Sequence, residues 1–158
     1  MILTCVSTVF SKFIITMPDR QQRTIITTHS PQETIALGKG IAATLTRGDV
    51  VYLYGDLGSG KTVFTKGVCK GLGVTEEVTS SSFVIATEYT GKVSVSHVDL
   101  YRLDDREAAS LPIDEYLLDS GITIIEWADR IRDTDGIRVT IEIKGKNTRE
   151  ITIEDFRN

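Results

Sequence analysis

A chain of 158 residues with 41% hydrophobic and 25% charged residues reads as one globular, soluble domain long enough to bury a real core. Its formal charge of −4, with no Lys/Arg run, argues against a domain that grips nucleic acid unaided. Cys5 and Cys69 lack C-x-x-C spacing and are accompanied by only two histidines, so neither a structural zinc site nor a disulfide framework is expected. No apolar run is long enough to span a membrane, and a cytoplasmic protein is expected.

Residues 1–16 are apolar but lack a basic start and an A-x-A-like cleavage site, and Lys12 interrupts them, so they do not read as a signal peptide. Met17 precedes a polar stretch. Residues 1–22 are expected to be an appendage, flexible or a start-site artefact, with an extra strand packed on the domain as the alternative. Residues 23–158 form the expected single domain. Residues 24–28 read as a strand. Ser30-Pro31-Gln32-Glu33 then has the form of a capping box with proline at the first helical position. The helix it opens carries Ile35, Leu37, Ile41, Ala42 and Leu45, and Gly48 is its expected end.

Residues 49–54 form a buried strand, and from Lys61 to about Leu72 the chain suits a helix closed by Gly71 and Gly73. Between them, Gly55-Asp56-Leu57-Gly58-Ser59-Gly60-Lys61-Thr62 matches the P-loop pattern G-x-x-x-x-G-K-(S/T). Residues 78–89 read as a serine-bearing loop leading into a strand, and residues 93–99 alternate as a strand does. Short helices are expected at 104–110 and 113–119, and a buried strand at 121–126 ends on a carboxylate. Residues 137–143 and 150–153 form a hairpin through Gly145-Lys146-Asn147. The expected class is α/β, a P-loop NTPase-like three-layer fold with a largely parallel central sheet and a C-terminal β-hairpin.

The glycines of the loop let its backbone curl round a phosphate chain, with N–H groups turned inward and the positive end of the next helix behind them. Asp56, Gly58, Ser59, Gly60, Lys61, Thr62 and Val63 are therefore the expected nucleotide-binding residues. Lys61 can reach the β- and γ-phosphates and assist catalysis, and the Thr62 hydroxyl can ligate Mg²⁺. A dinucleotide fingerprint fails because Val63 stands where it needs glycine. Hydrolysis also needs a carboxylate at the end of a neighbouring strand, and Glu126 and Asp99 are the candidates. Taken alone, His97 and Trp127 read as structural residues and Thr79 to Ser82 as a plain loop. Beside a P-loop, the same residues can serve as a catalyst, a ligand platform and a γ-phosphate sensor.

Together these segments resemble the bacterial TsaE family, small P-loop ATPases of tRNA threonylcarbamoyladenosine biosynthesis. The resemblance rests on the P-loop, Ser80-Ser81-Ser82-Phe83, His97-Val98-Asp99-Leu100-Tyr101-Arg102-Leu103 and Ile125-Glu126-Trp127, with Leu37-Gly38 in the preceding helix. It covers residues 24–153. It implies ATP and Mg²⁺ as cofactors, weak hydrolysis alone, and action on a TsaB–TsaD pair that modifies tRNAs reading ANN codons, so that tRNA is met only indirectly. It further implies that Thr62 and Glu126 hold Mg²⁺, that Asp99 serves hydrolysis, and that Trp127 and Ser82 lie at the nucleotide. Residues 30–34 are implied near the adenine. Where the family has S-P-T-(F/Y), this chain has Ser81 and Ser82 in place of Pro and Thr, which keeps a hydroxyl but removes a fixed φ. The rival readings are a small-molecule or nucleotide kinase, for which Arg130 and Arg132 are thin lid candidates, a nucleotide-binding adaptor without turnover, and a GTPase, for which no N-K-x-D-like motif is present.

Overall fold

The computed structural model describes residues 23–80 and 85–158, together with the backbone of two short strands, β1 (Thr8–Phe10) and β2 (Phe13–Ile15), which pair antiparallel. The described chain continues with β3 (Arg23–Thr28), α1 (Pro31–Ala42), β4 (Val50–Tyr54) and α2 (Lys61–Gly71). After these come β5 (Ala86–Thr90), β6 (Ser94–Asp99), α3 (Asp105–Ser110), β7 (Ile122–Glu126), β8 (Ile137–Ile143) and β9 (Arg149–Asp155). Two 3-10 turns, Ile113–Tyr116 and Ala128–Arg130, flank β7. β1 and β2 lie beside α1.

Seven strands form one sheet in the order β3-β9-β8-β4-β7-β6-β5. The expectation of a largely parallel sheet needs correction. Only the central run β8-β4-β7-β6 is parallel, and the remaining neighbours pair antiparallel. The reason is connectivity. β8 and β9 are joined by a short turn, which forces them antiparallel, and β3 then adds antiparallel to β9. A similarly short turn joins β5 to β6.

Two further expectations shift. α1 stops at Ala42 rather than near Gly48, because the Thr44 hydroxyl bonds the Ile41 carbonyl at 2.8 Å and Leu45 N–H folds back on Ala42. Its start is capped by the Ser30 hydroxyl on Glu33 N–H, while the Glu33 carboxylate reaches one residue further back, to His29 N–H at 2.8 Å. The expected helix at 113–119 is only the single 3-10 turn, since Leu117 has already returned to extended backbone.

Side chains alternate across the strands, so each face of the sheet has its own core. On one face, Leu37 and Ile41 of α1 and Phe64 and Val68 of α2 cover Val51, Leu53, Ile122, Ile124 and Val139. Each fully buried side chain of this size is worth about 1.5–3 kcal/mol. α1 and α2 approach closely at Gly38, where a Cβ would lie 2.5 Å from the Phe64 carbonyl oxygen. On the other face, Val50, Tyr52, Val98, Leu100 and Ile125 pack with Ala128. Val95 and Ile124 belong to the helix-covered face, so the same alternation turns His97, Asp99 and Glu126 towards α2 at the C-terminal ends of β6 and β7. Among the described residues no helix is long and apolar enough to cross a membrane.

Candidate functional site

The loop between β4 and α2 carries three glycines at positive φ: Gly55 at 143°, Gly58 at 76° and Gly60 at 107°. At Gly55 a Cβ would stand 2.5 Å from the Ile141 carbonyl oxygen and 2.6 Å from Ser59 Oγ, so both the dihedral and the space require glycine. Gly60 is the N-cap of α2 and provides no side-chain cap, which leaves the N–H groups of the first turn available to an anion.

Behind the loop, Glu126 sits 2% exposed at the end of β7 and gathers three donors. Thr62 Oγ1 donates to its Oε2 at 3.0 Å. Thr65 Oγ1 lies 3.0 Å from its Oε1 and shares its proton with the Lys61 carbonyl at 3.1 Å. His97 Nε2 is 2.9 Å from the same Oε1. Since a carboxylate oxygen is the acceptor here, Nε2 is the donating nitrogen, and among the described residues the buried Nδ1 has no partner. Asp99, the register partner of Glu126, accepts from Ser80 Oγ at 2.8 Å and from Tyr101 N–H at 3.0 Å.

Lys61 donates from Nζ to the carbonyls of Gly55, at 2.6 Å, and Asp56, at 3.0 Å. Burial pushes its ammonium below the ordinary lysine range, and the Glu126 and Asp99 carboxylates oppose that shift without cancelling it. Its Nζ also lies 3.8 Å from the centre of the Trp127 ring, and Tyr101 packs on that ring with centroids 5.0 Å apart. Trp127 is the only non-glycine at positive φ among the described residues, at 59°. Such a backbone costs on the order of 1–3 kcal/mol and persists where surrounding contacts hold it. Here it turns the indole over Lys61 straight after Glu126.

These groups open on a cleft of about 400 Å³ lined by Leu57, Gly58, Gly60, Lys61, Thr62, Val63, Ser80, Tyr101, Arg102, Glu126 and Trp127. Of the residues singled out from the sequence, Gly58, Gly60, Lys61, Thr62, Val63, Glu126 and Trp127 meet there. Asp99 stands one hydrogen bond behind, through Ser80. Asp56 is exposed, and its carbonyl receives Lys61 Nζ and Ser59 N–H. Ser59 lines a second cavity of about 120 Å³, shared with Ser30, Pro31, Thr34, Lys146, Asn147 and Arg149. Gly58, Gly60 and Val63 line both spaces, so the glycine loop divides them. Ser82 lies outside the described residues. Thr65, Tyr101 and Arg149 were not singled out as ligands from the sequence. Thr65 has a local signal, since it follows Thr62 by three positions on one helix face, whereas Arg149 reaches the loop across 90 residues of sequence.

The donor set is one of hard oxygens. A hydroxyl and a carboxylate 3.0 Å apart suit a small divalent cation that completes its shell with phosphate and water. Among the described residues no group of three or more His, Cys, Asp and Glu could cage a metal by itself, as a softer or purely protein-held metal would require.

Comparison with known proteins gives the family. The family model for threonylcarbamoyl adenosine biosynthesis protein TsaE matches residues 28–151. The tRNA threonylcarbamoyladenosine biosynthesis protein TsaE of Bacillus subtilis is 43% identical over 135 residues, which span 83% of this chain and 85% of the relative. The protein of the same name from a Nostoc species is 37% identical, over 85% of this chain and 88% of its own. In three dimensions the crystal structure of B. subtilis YdiB superimposes with a TM-score of 0.73 at 35% identity, covering 88% of this chain and 89% of that one. With its glycine loop, its paired strand-end carboxylates and its tryptophan all inside or bordering the matched span, the chain belongs to the TsaE family.

Proposed function

We propose that this protein binds ATP with Mg²⁺ through a P-loop NTPase-type site, hydrolyses it slowly alone, and acts in the cytoplasm on a TsaB–TsaD complex in threonylcarbamoyladenosine modification of tRNAs reading ANN codons. The observation that carries the nucleotide reading is the Thr62–Glu126 hydrogen bond at the inner edge of the glycine loop. It brings together the hydroxyl and the strand-end carboxylate that a phosphate-bound Mg²⁺ needs. The part in tRNA modification follows from family membership and the names of the relatives.

Each residue then has a defined task. The Lys61 ammonium exchanges two loop carbonyls for β- and γ-phosphate oxygens, a charge-assisted contact stronger than either bond it leaves. Thr62 and Glu126 hold Mg²⁺, whose bound form supplies charge neutralisation on the phosphates. Thr65 and His97 hold Glu126 in orientation. Asp99, held by Ser80 and by Tyr101 N–H, orients the attacking water. Trp127 and Tyr101 wall the cleft. The smaller cavity beside Ser30 and Thr34 suits the base end of the nucleotide. A net charge of −4 fits a protein that meets tRNA only through its partners.

The test is to capture partners from a cell extract with and without ATP and to follow hydrolysis with and without purified TsaB and TsaD. Co-purification of both, with turnover that rises in their presence, supports the reading. A small metabolite phosphorylated in proportion to ATP use would establish a kinase instead.

A further inference from the structure

We infer that Arg149 is a positioning residue for nucleotide binding, one that fixes the peptide planes of the glycine loop from two strands away in the sheet. The inference rests on the nucleotide reading of the loop. Arg149 opens β9, where its backbone is paired on one side with Thr28 of β3 and on the other with Ile143 of β8. Its anchor is therefore the three-strand edge of the sheet. From there Nε donates to the Ser59 carbonyl at 2.8 Å and Nη2 to the Gly58 carbonyl at 3.2 Å. Nη1 donates to the Gly145 and Thr148 carbonyls, each at 3.0 Å. One guanidinium thus ties the β8–β9 turn to the tip of the loop, with four of its five N–H donors on backbone oxygens.

The consequence follows from peptide geometry. In a trans peptide the C=O and the next N–H point in opposite directions. Turning the Ser59 carbonyl onto Arg149 turns the Gly60 N–H away from it, and holding the Gly58 carbonyl likewise directs Ser59 N–H away, onto the Asp56 carbonyl at 3.0 Å. The Ser59 side chain adds nothing to this arrangement, since among the described residues its buried hydroxyl has no partner. The start of the loop is held by β8, whose Ile141 carbonyl stands against Gly55. The hairpin therefore sets the loop at both places, by contact at Gly55 and by hydrogen bonds at Gly58 and Ser59. Lysine cannot take this role. It keeps the charge but lacks the planar fork that spans four carbonyls.

Calorimetric or NMR titration of Mg·ADP and AMP into the full chain, as wild type and as Arg149→Lys, tests the inference. Expected is a loss of about tenfold or more in ADP affinity, the scale of a lost charge-assisted hydrogen bond, with AMP affinity kept within about twofold. Arg149→Lys binding ADP as wild type does, or losing ADP and AMP affinity in equal proportion, would overturn it. A wild-type protein with no affinity for ADP would overturn the nucleotide reading, and this inference with it. Solvent exchange of the Arg149 Nε–H in the wild type is independent of any variant's folding. Slow exchange that changes on adding ADP is expected, and exchange as fast as in a free guanidinium would overturn the positioning role.

Discussion

Asp99 and Glu126 are register partners at the ends of two adjacent parallel strands, yet they sit in different hydrogen-bonding surroundings. Glu126 is engaged by Thr62, Thr65 and His97, and Asp99 by Ser80 and the Tyr101 backbone. Two carboxylates in register thereby have different partners. Glu126 faces the α2 hydroxyls, and Asp99 faces the serine segment.

The burial of Glu126 changes what its removal should do. Its position at a strand end, read from the sequence, points to a metal effect with little cost to folding. Because Glu126 is 2% exposed with three donors, Glu126→Ala should instead destabilise the protein by about 2–4 kcal/mol, since it leaves the buried His97 Nε2–H without its partner and Thr65 with only the Lys61 carbonyl. Glu126→Gln should fold with a much smaller loss, and both variants should lose the Mg²⁺ dependence of nucleotide binding. Urea unfolding and titrations with and without Mg²⁺ check the two parts separately.

Asp99→Asn should leave ADP affinity within about twofold and lower ATP hydrolysis by about 10²-fold, the range of a lost general base or water-orienting group. Ser80→Ala should lower hydrolysis less, since it leaves the Tyr101 N–H holding the Asp99 carboxylate. Single-turnover hydrolysis beside ADP titration separates these effects. Weakened ADP binding with normal hydrolysis would exchange the roles given to Asp99 and Glu126.

The site was legible in the sequence where chemistry is local or where a strand ends on a charge. The glycine loop follows from eight consecutive residues, and Glu126 and Asp99 announced themselves by ending apolar or alternating runs. What was not legible depends on contacts between distant segments. Arg149 looks like any strand-edge charge until β9 is inserted between β3 and β8, which also makes the sheet mixed rather than largely parallel. His97 reads alone as a structural histidine, and only the register of β6 on β7 brings it to Glu126. Tyr101 gave no periodic signal because it lies past the end of β6, in a turn that folds onto Trp127.

Cys69 offers a pH prediction at a distance from the cleft chemistry. Burial in α2 pushes its thiol up to about 12. The folded state therefore holds a proton that the unfolded chain releases from about pH 8.5 upward, so this group's contribution to stability falls as pH rises towards 12. Its share of the slope approaches about 1.4 kcal/mol per pH unit. Cys69→Ala should flatten the alkaline fall in stability measured by urea unfolding. The native thiol should also resist alkylation at neutral pH, with modification at Cys69 located by peptide mass analysis.

Trp127 is the only tryptophan of the chain and lies 3.8 Å from Lys61 Nζ, so its fluorescence reports directly on the loop. Titrating Mg·ATP into wild type and Lys61→Ala, with Trp127 emission as the signal, is the most direct test of nucleotide binding at Gly55 to Thr62. The wild type should show a saturable change that deepens with Mg²⁺, and Lys61→Ala should bind about 10²-fold more weakly, the scale of a lost charge-assisted phosphate contact. Equal affinity in the two proteins, or no response in a wild type that is fully folded, would contradict a nucleotide site at this loop.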